Sequence, residues 1–309
     1  MTWQELYDEW ASDCPYLRCR TSGSTGVPKI IDIPKEQIAS SALRTLEFFN
    51  LDHTAHFHAC LAPDYIGGKM MMIRAILSGG RFTWEKPSNR PLRELTDEHI
   101  DLLCVVPAQM RDIIEHIDDL PELGTILIGG SPIDNGLRKA IAASGLNCWE
   151  TYGMTETASH VALRPVTDPE SMFIPLKGIS VSRQGSRLAI DISGWKRFVT
   201  NDIAEFDADG HFRILGRADN VIMTGGLKVH PEQVEACLQP YFDFDFIITF
   251  RPDPLWGQKV VMLAENAVMS DECIIEICRE HLERHEVPKE IIRKTIPRTD
   301  SGKPIRKIQ

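Results

Sequence analysis

Residues 102–130, LLCVVPAQMRDIIEHIDDLPELGTILIGG, decide the fold class of this chain. Leu102 to Val106 is an uninterrupted apolar run that stops at Pro107, whose ring disfavours helix in the residue before it, so a buried strand is expected there. Gln109 to Ile117 switches to helical spacing, and Thr125 to Ile128 is a second strand candidate that runs into Gly129-Gly130. Short strands that are apolar throughout, joined by a helix, belong to parallel sheets covered on both faces.

The same alternation extends in both directions. Ile38 to Phe49 has helical spacing, His56 to Leu61 is a short strand, Lys69 to Leu77 is helical, and Gly136 to Ser144 is a further helix. The expectation is an α/β layer with a mostly parallel sheet, whose ligand loops lie at the carboxyl ends of the strands. After Pro175 the pattern changes to short β-rich runs: Ile179 to Ser182, Arg187 to Ile192, Phe198 to Thr200, Ala204 to Phe206 and His211 to Leu215. The turn Asp207-Ala208-Asp209-Gly210 joins the last two as a hairpin.

A boundary is expected near Arg217 to Asn220. Beyond it, Pro231 opens a helix, Phe244 to Phe250 and Val260 to Ala264 are strands, and Ser270 caps a helix from Asp271 to about His285. The expected organisation is a large domain over 1–218, with a β subdomain over about 176–218, and a small, mobile α+β domain over 219–309.

Composition narrows the function classes. The 309 residues suggest about two domains. Lys and Arg number 34 against 44 Asp and Glu, a formal charge of −10 that repels phosphate backbones and argues against a nucleic-acid partner. The stretch from Pro288 to Gln309 reverses the sign, with seven Lys/Arg against Glu290 and Asp300: either a solvated face or a surface for a polyphosphate. No apolar run approaches the ~18 residues of a membrane span, so no membrane insertion is expected. Eight cysteines without CxxC or zinc spacing read as reduced packing residues, and the start carries acids rather than a basic leader, which together suggest a cytoplasmic protein.

Four segments carry chemistry. Thr21-Ser22-Gly23-Ser24-Thr25-Gly26-Val27-Pro28-Lys29 can turn backbone N–H and hydroxyl donors onto phosphate oxygens, with Lys29 as a point charge, although it lacks the Walker spacing. Thr151-Tyr152-Gly153-Met154-Thr155-Glu156-Thr157 places a carboxylate suited to Mg2+ on a hydroxyl-rich loop, beside a flat ring for a purine. Asp202 can accept from a sugar diol and Arg217 can donate to one, while Gly225-Gly226 permits close backbone approach. Lys303, inside Pro297-Arg298-Thr299-Asp300-Ser301-Gly302-Lys303, is a deliverable cation. Taken singly, these are also a polar turn, a solvated Glu, a surface Arg and a charged tail.

Taken in order, the four segments resemble the core motifs of the adenylate-forming superfamily, which includes acyl- and aryl-CoA synthetases, peptide-synthetase adenylation domains and firefly luciferase. The resemblance covers about residues 20 to 309, and residues 152–160, YGMTETASH, are most similar to the o-succinylbenzoate–CoA ligases of menaquinone biosynthesis. It implies a ligase using ATP, Mg2+, coenzyme A and a small carboxylic acid, and it is compatible with a homodimer. It further implies that Thr21, Ser22, Gly23, Ser24, Thr25, Gly26 and Lys29 bind phosphate, and that Gly129, Gly130, Ser131, Thr151 and Tyr152 border adenine. Thr155 would touch the α-phosphate, Glu156 would hold the metal, and Asp202 and Arg217 would bind ribose. Asp219 would be the hinge, Gly225 and Gly226 would line the CoA tunnel, and Lys303 would be the adenylation lysine.

An o-succinylbenzoate substrate carries a second carboxylate, which needs a facing cation. Lys69 and Arg74 are the candidates, with Tyr65 standing where many relatives have His. Met70-Met71-Met72 and His160 read as core and as a structural polar group. Only twenty residues precede Thr21 where relatives have a long segment, and Ile30 follows the phosphate loop where Gly is usual. Two alternatives stay open: a ligase for another aryl or short acyl acid, and a shortened, non-catalytic nucleotide-binding relative.

Overall fold

The computed structural model describes residues 1–20, 29–93, 95, 99–168, 170–298 and 304–306. The chain forms two compact units, Met1–Ile179 and Ser180–Gln309. The first opens with helix α1 (Trp3–Ala11) and the antiparallel pair β1 (Tyr16–Arg20) and β2 (Ile30–Pro34), in which Arg20 and Ile30 are register partners. The α1 helix starts at a capping box, where the Thr2 hydroxyl accepts from the Glu5 N–H and the Glu5 carboxylate accepts from the Thr2 N–H.

Next come helix α2 (Lys35–Phe49), β3 (His56–Ala59), α3 (Ile66–Ser78), β4 (Arg81–Trp84), β5 (Ile100–Val105), α4 (Pro107–Glu115), β6 (Leu123–Ile128), α5 (Asn135–Ser144), β7 (Asn147–Met154), β8 (Ser159–Pro165) and β9 (Ile174–Pro175). The seven-stranded sheet runs β4-β3-β5-β6-β7-β8-β9. Neighbours from β4 through β7 are parallel, and β8 and β9 are added antiparallel. The expected mostly parallel α/β layer is what forms.

Period-two alternation sets the two faces of the sheet. Leu103 and Val105 of β5, with Ile126 and Ile128 of β6, bury against Met110 and Ile113 of α4 and Leu137 and Ile141 of α5. Cys104 faces the opposite side, where α3 lies across β3 and β5. Pro107 sits in the first turn of α4, where its missing N–H costs nothing. The capping box of α1 was an available signal that the apolar spacing did not reveal.

The second unit holds three sheets. One is β10 (Ile179–Gln184), β11 (Arg187–Ile192) and β12 (Phe198–Val199); a second is the hairpin β13 (Asp202–Phe206) with β14 (Phe212–Arg217). The third takes β15 (Ile222–Thr224), β16 (Leu227–Val229), β17 (Phe246–Asp253), β18 (Gly257–Ala264) and, parallel to β18, β19 (Glu290–Arg293). Helices α6 (Pro231–Leu238) and α7 (Asp271–His281) cover it through Val234, Leu238, Ile274 and Cys278, packed on Ile248, Val260 and Met262.

One expectation shifts. The last helix ends at His281 rather than near His285, because Leu282 turns to extended backbone. The compact units divide at 179/180, because the short strands of residues 180–217 join the residues that follow: β14 lies against α6, and Asn220 donates to Glu232 of that helix. The expected domain boundary at 218/219 belongs with the functional proposal below.

Candidate functional site

In a parallel sheet the carboxyl ends of the strands share one edge, and the loops leaving that edge collect the polar residues. The β6 strand delivers Gly129, Gly130 and Ser131 there, and β7 delivers Thr155 and Glu156. Thr151 donates its hydroxyl to the Ile128 carbonyl at 3.2 Å, and a Cβ on Gly129 would stand 2.5 Å from that hydroxyl oxygen. Glycine at 129 is therefore the condition for this contact, and the structure brings Gly129 and Thr151 together. Tyr152 beside them has its ring 5.7 Å from that of Phe173.

The turn after β7 is tightly made. A Cβ on Gly153 would lie 2.3 Å from the Ser159 carbonyl oxygen and 2.5 Å from the His160 Cα, at a bulge in the β7–β8 register. Thr157 accepts from the Met154 N–H at 3.1 Å, and its oxygen also lies 2.9 Å from the Met154 carbonyl and 2.8 Å from that of Ser159. Ala158 and Ser159 hold φ of 54° and 108°, uncommon for residues with a Cβ and typical of functional turns. Thr155 is buried and Glu156 is exposed, and the Glu156 carboxylate has no ion pair or hydrogen bond among the described residues. A free carboxylate on a hydroxyl-bearing turn fits Mg2+, which takes few protein oxygens.

Sequence reasoning missed the brace beneath this turn. Glu150, buried on β7, accepts from Arg138 of α5 and from Arg164 opposite it on β8, the latter at 2.7 Å from Nε and 2.6 Å from Nη2. The Arg164 guanidinium also lies 4.5 Å over the Phe173 ring. An acid in a buried strand, two residues after Cys148 on the same face, was the available signal.

Helix α3 separates the three residues proposed for the acid. Tyr65, at its N-cap, is exposed and forms a bridge with Arg20, placing it beside the end of β1. Lys69 is buried with its ammonium 2.9 Å from the Met1 sulfur, and burial lowers its pKa. Arg74, 1% exposed, points to the sheet: Nη1 lies 3.6 Å from Cys104 Sγ and 3.8 Å from Met71 Sδ, and Nη2 donates to the Ser159 hydroxyl at 3.4 Å. Its Nε–H has no partner, and no carboxylate pairs with the guanidinium among the described residues.

Next to Arg74, buried His160 meets the Thr45 hydroxyl at 3.0 Å and the Ser159 hydroxyl at 3.5 Å. Burial, and then the Arg74 charge, hold its pKa well below the ordinary histidine value. His160 is therefore neutral at pH 7, in line with a structural polar group.

In the second unit, Asp202 and Arg217 are opposite each other in the β13–β14 register, with Arg217 Nη1 3.4 Å from Asp202 Oδ1. Arg217 also grips Asp219, at 2.9 Å from both Nε and Nη2, which raises its own pKa and lowers that of Asp219. Asp219 is thus an ion-pair partner as well as the expected hinge, a contact that spacing alone did not show. Gly225 and Gly226 form the β15–β16 turn with φ of 56° and 81°, a left-handed pair that suits glycine. Thr21, Ser22, Gly23, Ser24, Thr25, Gly26 and Lys303 lie outside the described residues, while Lys29 is described and exposed.

A family model for AMP-binding enzymes matches residues 4–183, more than half of the chain. The chain belongs to the AMP-binding enzyme family. Within it, the chain is an enzyme of the AMP-forming acyl-CoA synthetase type. A 2-succinylbenzoate–CoA ligase of Bacillus cytotoxicus is 25% identical over 93% of this chain and 68% of its own length. An acyl-CoA synthetase (AMP-forming)/AMP-acid ligase II-like protein of Dyadobacter fermentans is 30% identical, with a TM-score of 0.66, over 97% of this chain and 90% of that one. The fold is also that of o-succinylbenzoate coenzyme A synthetase (MenE) from Bacillus subtilis, solved in complex with ATP and magnesium ion, at a TM-score of 0.80 and 19% identity over 94% of this chain and 68% of that one. The chain spans about two thirds of the length of the 2-succinylbenzoate–CoA ligase and the MenE structure, and nearly all of the Dyadobacter protein. Among the described residues, no helix is long and apolar enough to cross a membrane.

Proposed function

We propose that this adenylate-forming protein joins o-succinylbenzoate to coenzyme A in two steps. The substrate carboxylate attacks the α-phosphorus of ATP, a new O–P bond forms, and pyrophosphate leaves with the broken P–O bond. The CoA thiol, giving up its proton, then attacks the acyl carbon, and AMP leaves. Both steps bring like charges together, so the protein supplies positive charge and alignment more than proton transfer.

Each residue then has a task. Thr21 to Gly26 with Lys29 cradle the triphosphate, Gly129, Gly130, Ser131, Thr151 and Tyr152 border adenine, and Asp202 with Arg217 hold the ribose hydroxyls. Thr155 donates to the α-phosphate, and Lys303 brings a cation to the reacting oxygens. Mg2+, which Glu156 would hold, supplies charge neutralisation at the phosphates. Rotation about Asp219 would withdraw Lys303 and bring Gly225 and Gly226 to the thiol.

One observation carries the choice of acid. Arg74 is a fully buried guanidinium with an unpartnered Nε–H and only thioether, thiol and hydroxyl neighbours among the described residues. An uncompensated buried charge is costly, and a substrate carboxylate that does not react would compensate it. Lys69 faces the N-terminal segment instead, which leaves Arg74 as the anchor. The curated relative's name supports the same acid.

ATP–pyrophosphate exchange with a panel of acids tests this. Exchange with o-succinylbenzoate is the expected result. Exchange with benzoate or acetate alone would replace the acid, and ATP binding without exchange by any acid would leave a nucleotide-binding protein.

A further inference from the structure

A run of contacts leads from buried Glu150 to the ring of Tyr152. Glu150 and Tyr152 are two positions apart on β7 and so share one face of the sheet, and Arg164 stands opposite Glu150 in the β7–β8 register. Arg164 reaches one Glu150 oxygen with Nε at 2.7 Å and Nη2 at 2.6 Å, and Arg138 of α5 pairs with the same oxygen. Two donors on one acceptor fix the plane of the Arg164 guanidinium as well as its place.

That plane lies 4.5 Å over the centre of the Phe173 ring, and the Phe173 and Tyr152 rings meet at 5.7 Å, tilted by 53°. Phe173 is buried, and it precedes β9, a strand of only two residues. Its ring is therefore placed by side-chain packing as much as by the backbone ladder. A guanidinium lies flat on a ring face and serves as a plate for it, which the compact ammonium of lysine does not.

We propose that Arg164, clamped by Glu150, is a positioning residue for the nucleotide base: it fixes Phe173, and Phe173 fixes the Tyr152 ring on which the purine lies. This rests on the reading of Tyr152 as a wall of the base site, given above, and is independent of the choice of acid. Tyr152 is only half-buried, so its ring keeps freedom to turn unless a neighbour removes it. A ring already fixed before the base arrives saves the ligand that ordering cost.

Calorimetric titration of the full chain with ATP and with AMP, without acid or coenzyme A, tests this. Arg164→Lys keeps a charge beside Glu150 and loses the plate over Phe173. It is expected to weaken both nucleotides by the same factor, about 3- to 10-fold, while its melting temperature stays within about 4 °C of the parent. Phe173→Leu should weaken them over the same range. The double variant should bind within about twofold of Phe173→Leu alone, because the arginine acts through that ring.

Nucleotide affinities within about twofold of the parent in Arg164→Lys would reduce the brace to a structural tie. Losses that multiply in the double variant would overturn the route through Phe173, and a loss confined to ATP would place the effect at the phosphates and overturn the proposal. A parent chain that binds neither nucleotide would instead overturn the reading of Tyr152, a result distinct from these.

Discussion

Arg74, at the middle of α3, donates through Nη2 to the hydroxyl of Ser159 at 3.4 Å, three residues past Glu156. A cation with no anion to pair with among the described residues thus lies under the turn that bears the metal-binding candidate. Because the Ser159 hydroxyl also meets His160, a residue that reads as core and a turn that reads as catalytic are parts of one hydrogen-bonded chain running from Thr45 to Arg74.

If Arg74 awaits a substrate carboxylate, replacing it should injure binding more than folding. Arg74→Met is expected to raise the KM for the acid at least about 10-fold while the KM for ATP stays near the parent value. Removing an unpaired buried charge should leave the melting temperature equal or higher. Steady-state kinetics and a thermal melt check both; a large drop in melting temperature with unchanged KM would make Arg74 structural.

Gly153 leaves no room for a side chain, because the atoms a Cβ would meet are backbone and cannot swing away. Gly153→Ala is expected to cost about 1 to 3 kcal/mol in denaturant unfolding, the range for overpacking, and to displace Glu156 with the bulge. Gly145→Ala makes a control, since nothing lies within 4 Å of its Cβ position, although its φ of 74° carries strain of its own.

His160 makes stability depend on pH in a definite direction. Its folded pKa lies well below that of the unfolded chain, so its contribution is fully present above the unfolded value near 6.5 and is lost as pH falls below it. Between pH 6.5 and 5 the unfolding free energy should fall by up to about 1.4 kcal/mol per pH unit from this group alone. His160→Gln should flatten that slope in urea titrations at several pH values; an unchanged slope would mean that the ring binds protons equally in the folded and unfolded states.

In the proposed function Lys303 supplies charge to the reaction and not to the nucleotide's resting grip. Lys303→Ala is expected to reduce acyl-AMP formation by about 100-fold or more while ATP still binds, as read by single-turnover assay and by calorimetry. Near-normal adenylation would take Lys303 out of the mechanism.

Most of the strand–helix alternation from Ile38 to Ser144 was legible because those elements carry their own period, and the parallel sheet followed from strands that are apolar on both faces; the short edge strand β4, with Arg81 and Thr83 among its four residues, was not read. Helix α1 was less legible, since its signal lies in a capping box and not in a long apolar stripe. Strand β8 and the Glu150 brace were not legible, because a buried carboxylate looks like any surface acid until Arg138 and Arg164 are brought to it from other elements. The separation of Lys69 from Arg74 was hidden for the same reason: five positions on one helix are close in sequence and lie on different faces.

The amino-acid order by itself determined the fold class, the family and the residue types able to meet phosphate, ribose and metal, because these depend on local period and on short motifs. Only the tertiary structure decided which cation stands unpaired, which acid is neutralised from two sides and which ring a guanidinium covers. Those are properties of pairs, and a pair of residues 14 positions apart has no energy until folding sets its distance and removes the water between them.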